Sequence, residues 1–174
     1  IVNDYMQKMS KLTGRTYKPF TYYGDPNAEN IIVAMGSVCD LIESTIDYLA
    51  KKGEKVGLIK VHLYRPFSAK YFFDVLPKSV KRIAVLDRTK EPGAIGEPLY
   101  LDVRNLFTNK PNAPLIVGGR YGLSSKDTTP EHIIAVYKNL KLSEPKDRFT
   151  VGIVDDVTFL SLPVDNEFVN VTPE

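Results

Sequence analysis

Arg82 to Arg104, RIAVLDRTKEPGAIGEPLYLDVR, is the stretch whose reading decides the fold. It opens with Ile83-Ala84-Val85-Leu86, an apolar run of strand length. With no polar alternation, such a run suits a strand covered on both faces, as in a parallel sheet. The polarity then switches at Asp87, Arg88, Thr89, Lys90 and Glu91, and Pro92-Gly93 marks a turn. After Gly96 the apolar residues Leu99, Val103 and Leu106 recur at helical spacing. Strand, charged loop and helix follow one another, and in open α/β sheets a loop of this kind lies at the carboxyl edge, where ligands or partner domains dock.

The same pattern extends in both directions. Ile31-Ile32-Val33-Ala34-Met35 is a second apolar run, stopped by Gly36-Ser37, and helical spacing resumes at Val38, Leu41, Ile42, Ile46 and Leu49 before Gly53. A strand is expected from Val56 to Leu63. Ser68 then starts a short helix that ends near Leu76-Pro77. The helix after Gly96 should run from about Glu97 to Phe107. Leu115-Ile116-Val117 reads as a strand closed by Gly118-Gly119, and Thr129-Pro130-Glu131 begins a last helix to about Leu140, with Thr129 as its N-cap. Strands alternating with helices define βαβ units and an α/β fold. Upstream, Phe20 to Tyr23 is aromatic enough for a short strand, and Pro19 places it at an edge.

The ends differ from this core. Ile1, Tyr5, Met9 and Leu12 mark a helix stopped by Gly14, as if entering from elsewhere. Phe149-Thr150-Val151-Gly152-Ile153-Val154 reads as a strand, and the remainder to Glu174 alternates in β fashion without a basic residue. The expected division is an entering helix over residues 1–14, one domain over 15–148, and an arm or the start of a next domain over 149–174. Val151, Ile153, Val157, Phe159, Leu160 and Leu162 would then face a neighbour outside this excised piece.

A chain of 174 residues can bury one substantial core. Its formal net charge of +2 gives no field to argue for nucleic acid or an anionic membrane. No apolar run approaches the roughly 20 residues that span a bilayer. Cys39 is the one cysteine, which excludes an internal disulfide and a cysteine-ligated cluster and fits a reducing cytoplasm.

Chemistry-bearing motifs are few. Gly93-Ala94-Ile95-Gly96 before a helix could cradle a phosphate, but it lacks the full dinucleotide fingerprint, and Glu97 stands where an anion would sit. A plain helix-start turn is the preferred reading there, as at Gly36-Ser37. Gly118-Gly119-Arg120-Tyr121-Gly122 with Ser124-Ser125-Lys126 brings two cations and three glycines beyond a strand end. That combination is either a contact surface or a loop in which Arg120 pairs with Glu91 or Asp127. His62, read as lying inside a strand, and His132, in a first helical turn, have no partner at metal-ligand spacing. Cys39 has no histidine at a nucleophile's spacing. Asp155-Asp156 reads as a solvated loop start.

Three longer strings carry a resemblance. Val56-Gly57-Leu58-Ile59-Lys60-Val61-His62-Leu63-Tyr64-Arg65-Pro66-Phe67 is one. The second is Ala84-Val85-Leu86-Asp87-Arg88-Thr89-Lys90-Glu91-Pro92-Gly93 with Gly96-Glu97-Pro98-Leu99-Tyr100, and the third is Gly118-Gly119-Arg120-Tyr121-Gly122-Leu123-Ser124-Ser125-Lys126. Together they closely resemble the second domain of pyruvate:ferredoxin (flavodoxin) oxidoreductases, over roughly residues 15–148. The tail from Phe149, with Gly152-Ile153-Val154-Asp155-Asp156-Val157-Thr158, looks like the opening of that family's third domain.

The resemblance implies a three-layer α/β/α fold like the transketolase carboxy-terminal domain, with a five-stranded, mostly parallel mixed sheet. Phe20–Tyr23 would be its antiparallel strand. The Ile31 strand would lie centrally, between those at Val56 and Ile83, and a crevice would open near Gly36-Ser37 and Asp87-Arg88. The resemblance further implies a cytoplasmic parent enzyme of anaerobic pyruvate metabolism, a homodimer that oxidatively cleaves pyruvate to acetyl-CoA. That parent uses thiamine diphosphate, magnesium and 4Fe–4S clusters, takes coenzyme A as substrate and passes electrons to ferredoxin or flavodoxin. No Gly-Asp-Gly thiamine motif occurs in this chain. It is therefore expected to be an inactive structural domain with no catalytic, cofactor or metal residue of its own, and Arg88, Glu91, Arg120 and Lys126 are its candidate interdomain contacts. The alternative is a free-standing flavodoxin-like module binding a nucleotide or phosphate. Arg88 and Arg120, each following an apolar strand on neighbouring strands, are expected to converge on one acidic partner, either Glu91 or Glu97 within the domain or a carboxylate or phosphate from a neighbouring domain or ligand.

Overall fold

Each apolar run divides its side chains between two faces. Ile31 and Val33 enter one buried cluster while Ile32 and Ala34 enter another; Ile83 and Val85 part from Ala84 and Leu86 in the same way. A strand buried on both faces needs a helix layer on each side, and the computed structural model, which describes residues 1–154 and 157–164, has that three-layer form. The elements in chain order are α1 (Val2–Thr13), β1 (Phe20–Gly24), β2 (Asn30–Met35), α2 (Val38–Lys51), β3 (Val56–Val61), α3 (Ala69–Val75), β4 (Arg82–Asp87), α4 (Pro98–Leu106), β5 (Leu115–Arg120), α5 (Pro130–Lys141) and β6 (Phe149–Thr150).

The sheet order is β1-β3-β2-β4-β5-β6. β1 runs antiparallel to β3, and all other pairs are parallel. The expected central β2, flanked by β3 and β4, is present. The sheet has six strands where five were expected. The added one is Phe149–Thr150, which pairs with Gly119 and Arg120 and is held further by Val151 N–H donating to the Arg120 carbonyl at 2.9 Å.

On one face α2 and α5 pack Ile42, Ile46, Ile133, Val136 and Leu140 over the sheet. On the other, α3 and α4 bring Phe72, Leu99, Tyr100 and Val103. Phe20, Phe67, Phe72, Phe73 and Phe107 meet largely edge to face at that end, the geometry that ring quadrupoles favour. Helix α1 buries no residue in either cluster and ends as its sequence suggests, with Gly14 at φ 70°.

Three local expectations are corrected. β3 stops at Val61 because the N–H groups of His62 and Leu63 both turn to the Pro19 carbonyl, at 2.9 and 3.1 Å. His62 therefore follows the strand instead of lying in it, with Nε2 at 2.8 Å from Thr21 Oγ1. β5 does not close at Gly118-Gly119 but runs through both to Arg120. A methyl group on Gly118 would lie 3.1 Å from the Tyr100 ring, and one on Gly119 would lie 2.3 Å from the Phe149 ring, so these glycines admit aromatic rings against the strand. After Phe149, Val151 and Leu162 lie in this chain's own core instead of awaiting a neighbour, whereas Val157 and Phe159 are exposed.

The segment before β6 is tied down. Asn139 Nδ2 donates to the Lys146 carbonyl at 3.0 Å, and Lys146 N–H donates to Asn139 Oδ1 at 2.9 Å. Thr129 caps α5 as expected, in a capping box whose third helical residue is His132: its Nδ1 accepts the Thr129 N–H at 3.0 Å.

An imidazole used as an acceptor must stay neutral, and burial lowers the His132 pKa from its ordinary 6.5. A depressed histidine pKa contributes stability that is present above pH 6.5 and is lost as pH falls through the folded-state pKa. The expected result is a histidine titrating below 6.5 by NMR, with a matching acid-side loss of stability that His132→Gln reduces. A His132 titration above 6.5 would contradict the capping assignment.

Candidate functional site at the carboxyl edge of the sheet

β2, β4 and β5 end side by side at Met35, Asp87 and Arg120. β2 is followed by a helix on one face and β4 by a helix on the other. Their loops therefore diverge and leave a crevice at the edge, as the strand order requires. The residues around it fall into two groups separated by the sheet.

On the α4 side, Asp87 closes β4 fully buried. Its Oδ1 accepts the Leu99 N–H at 3.0 Å and its Oδ2 the Tyr100 N–H at 3.1 Å, so the carboxylate occupies the positive end of α4. Burial raises the Asp87 pKa, the two N–H bonds oppose that, and Glu97 and Asp102 add to the rise. Arg120 is the register partner of Asp87 and shares its face. Its Nε donates to Glu97 Oε1 at 2.6 Å and its Nη1 to the Arg148 carbonyl at 2.8 Å. The Arg120 and Glu97 side chains are 11% and 2% exposed. Beside them Asp147 Oδ1 accepts the Gly118 N–H at 2.7 Å, and its Oδ2 accepts the Tyr100 hydroxyl at 3.1 Å. Arg104 donates to that same hydroxyl.

This arrangement removes the phosphate-cradle reading of Gly93-Ala94-Ile95-Gly96, because Asp87 already holds the N–H groups an anion would need. Gly96 is small for a packing reason: a methyl there would lie 2.5 Å from the Tyr100 ring.

On the α2 side a cavity of about 250 Å³ is lined by Ser37, Leu41, Arg88, Tyr121, Lys126 and Asp127 among others. Arg88 follows Asp87 by one residue and so projects from the opposite face to Arg120. The expected convergence of Arg88 and Arg120 on one acid does not occur: Glu97 serves Arg120 alone, and Arg88 lies along Gly122. Glu91 is exposed in the turn between the groups, with Thr89 Oγ1 at 3.5 Å, and Lys126 is exposed at the cavity.

Sequence reasoning placed Asp87 at the crevice without giving it a role, and it passed over Tyr100, Tyr121 and Asp147 as site residues. The one signal available was an acid directly at a strand end followed by a helix start eleven residues later.

Other reactive groups are quiet. Cys39 is buried in the α2 layer, and burial pushes its thiol up to about 11, far from a working thiolate. No group of three or more His, Cys, Asp or Glu among the described residues could hold a metal ion. With one buried cysteine, the residues of this chain do not fit a 4Fe–4S cluster. Asp155-Asp156 lies outside the described residues. No helix among the described residues is long and apolar enough to cross a membrane.

Pyruvate-flavodoxin oxidoreductase of Enterobacter agglomerans is 60% identical over 166 residues, covering 95% of this chain and 14% of that protein. Pyruvate:ferredoxin oxidoreductase of Moorella thermoacetica is 56% identical over 174 residues, covering 100% of this chain and 15% of its own length. The chain thus spans about one seventh of these relatives. Among solved structures, a 2-oxoglutarate:ferredoxin oxidoreductase from Magnetococcus marinus aligns with a TM-score of 0.49 and 19% identity over 74% of this chain and 20% of that one. Residues 28–133 match the family described as pyruvate:ferredoxin oxidoreductase core domain II, and the chain belongs to that family.

Proposed function

We propose that this chain is a non-catalytic, architectural domain of a longer pyruvate:ferredoxin or pyruvate-flavodoxin oxidoreductase, which oxidatively decarboxylates pyruvate to acetyl-CoA. The observation that carries the reading is high identity to enzymes of that name over about one seventh of their length. Thiamine diphosphate, magnesium, the 4Fe–4S clusters and coenzyme A are assigned to other parts of the parent, as are the contacts with ferredoxin or flavodoxin and the homodimer partner. A cytoplasmic location belongs to the same reading.

Within that parent, residues 1–14 enter from the preceding segment, 15–148 form the body of the domain, and 149–174 lead to the next after adding β6, Val151 and Leu162 to this domain's sheet and core. Arg88, Glu91 and Lys126 are exposed at the carboxyl edge and form the proposed interdomain contact. Arg120, also in the expected set, acts from within by holding Glu97 and the Arg148 carbonyl that leads into β6.

Glu91 separates contact from stability, because it is exposed and its nearest polar contact is a long one. Glu91→Lys should leave the melting of this chain within about 0.5 kcal/mol of the original. In the full-length parent it should lower activity or assembly several-fold. Full activity in the parent would remove Glu91 from the contact.

A further inference from the structure

Helix α1 is mounted the wrong way round for a surface helix. Its Asn3, Gln7 and Ser10 line a cavity of about 500 Å³ against Tyr71 and Val75 of α3, so its polar side faces the domain. The apolar stripe that the sequence places at Ile1, Tyr5, Met9 and Leu12, joined by Val2, faces out. Ile1, Tyr5 and Leu12 are 92%, 63% and 81% exposed, and α1 buries no residue. An amphipathic surface helix ordinarily turns such a stripe to the core. We infer that the outward face of α1 is a docking surface for another segment of the same parent polypeptide, one that presents an apolar groove with a carboxylate at its rim. This rests on the parent assignment and adds a contact separate from that of Arg88, Glu91 and Lys126.

The first argument is the helix itself. A 12-residue helix is marginal in water and draws its stability from packing its apolar face. What holds α1 here is polar: Ser10 Oγ accepts the Tyr17 N–H at 2.9 Å, and the Gly14 N–H donates to the Ser10 carbonyl at 3.0 Å. Neither bond covers an apolar side chain, so the missing packing comes from beyond the described residues.

Area decides between occupants. One face of α1, about 18 Å long, offers less than the roughly 800 Å² per partner that holds two separate molecules together. A segment of the same polypeptide needs no such area, because the connecting chain keeps it at high effective concentration. There is chain enough to supply it: the Moorella thermoacetica enzyme aligns with all 174 residues, α1 included, and they make up 15% of its length.

The border of the stripe sets the charge of the partner. Asp4, in the first turn, complements the positive helix end. Lys8 Nζ lies 5.2 Å from the centre of the Tyr5 ring and has no carboxylate partner among the described residues. Its stem therefore extends the apolar surface, and its charge is left for a carboxylate at the rim of the groove. Anchors one and two turns apart on one helix face are the pattern by which a helix is read by a groove.

The test compares amide hydrogen exchange over residues 2–13 in the 174-residue chain and in the full-length parent. Exchange in the parent is expected to be slower by about 100-fold or more. Tyr5→Gln with Leu12→Gln, which keeps residues that suit a helix, should leave the urea midpoint of the chain unchanged and speed α1 exchange in the parent by about tenfold or more. A carbodiimide cross-link from Lys8 should reach a carboxylate of the same polypeptide in parent dimers mixed from isotopically distinct subunits. Equal exchange in chain and parent would overturn the inference, as would protection in the parent that survives both substitutions. Cross-links between differently labelled subunits, or a dimer of the chain that the substitutions dissolve, would assign the face to a second copy and overturn it equally. Exchange is read whether or not the parent oxidises pyruvate. A protected α1 in an inactive parent would sink the functional reading alone, and an unprotected α1 in an active parent would sink this inference alone.

Discussion

Arg120→Ala is expected to destabilise the chain by about 3–5 kcal/mol, the largest effect of any polar substitution here, because it leaves the buried Glu97 carboxylate without its partner. Glu97 Oε2 already has no hydrogen-bond partner, so the whole compensation for that charge rests on the 2.6 Å contact at Oε1. The same substitution frees the Arg148 carbonyl beside β6. Urea unfolding should show the midpoint fall with the slope unchanged. The control is the paired substitution Glu97→Gln with Arg120→Met, which removes both charges and should recover much of the loss. Arg88→Ala, one residue past the neighbouring strand, should cost less than about 0.5 kcal/mol, since it is exposed and unpaired. A loss below about 1 kcal/mol for Arg120→Ala would show the pair to be effectively solvated.

Gly119→Ala is the second large effect, about 3 kcal/mol, although it adds a single methyl to a strand. The methyl would lie 2.3 Å from two atoms of the Phe149 ring and 2.8 Å from Leu86 Cδ2, and both side chains are buried, with no open space to move into. Either the ring leaves and β6 detaches, or β5 shifts against β4. Phe149→Leu in the same chain should recover part of the loss, because the smaller side chain vacates the clash. Thermal melting of the two single variants and the double gives the coupling directly. Additive losses would mean that Phe149 and Gly119 do not share the contact described.

The contrast between these two sites shows what the sequence could and could not convey. Ile31–Met35 and Ile83–Leu86 are apolar at every position, which is itself the statement that both faces are covered. Cover on both faces of these strands was therefore legible in the residues, whereas the three layers and the central position of β2 were implied by the family resemblance. Thr129-Pro130 declared a helix start on local chemistry alone. Gly118-Gly119 misled because glycine marks a turn when its backbone must adopt positive φ and marks a close approach when a ring lies on it. Here the ring belongs to Phe149, thirty residues away, and no local pattern reveals it. That ambiguity shortened β5; the strand read from Phe149 to Val154 is shorter in the structure and belongs to this sheet instead of a next domain, so the count of five implied by the resemblance falls one short.

The same non-locality explains the edge. Asp87 reads as the first residue of a charged loop, yet the folded chain brings the N-terminus of α4 over it and turns it into that helix's anion. Arg88 and Arg120 look equivalent in sequence because each follows an apolar run. Register makes Asp87, not Arg88, the partner of Arg120, and the pleat then sends the two guanidinium groups to opposite faces. Candidates for contact could be named from sequence, but which of them were already held inside the domain depended on a register that only pairing across strands fixes.

The central claim is that this chain contributes architecture and no chemistry to a pyruvate oxidoreductase. It is tested most directly by assaying the purified chain anaerobically with pyruvate, coenzyme A, thiamine diphosphate, magnesium and a low-potential viologen acceptor. The account predicts acceptor reduction no faster than in a protein-free control at any protein concentration. Pyruvate-dependent reduction that rises in proportion to the chain's concentration would contradict it.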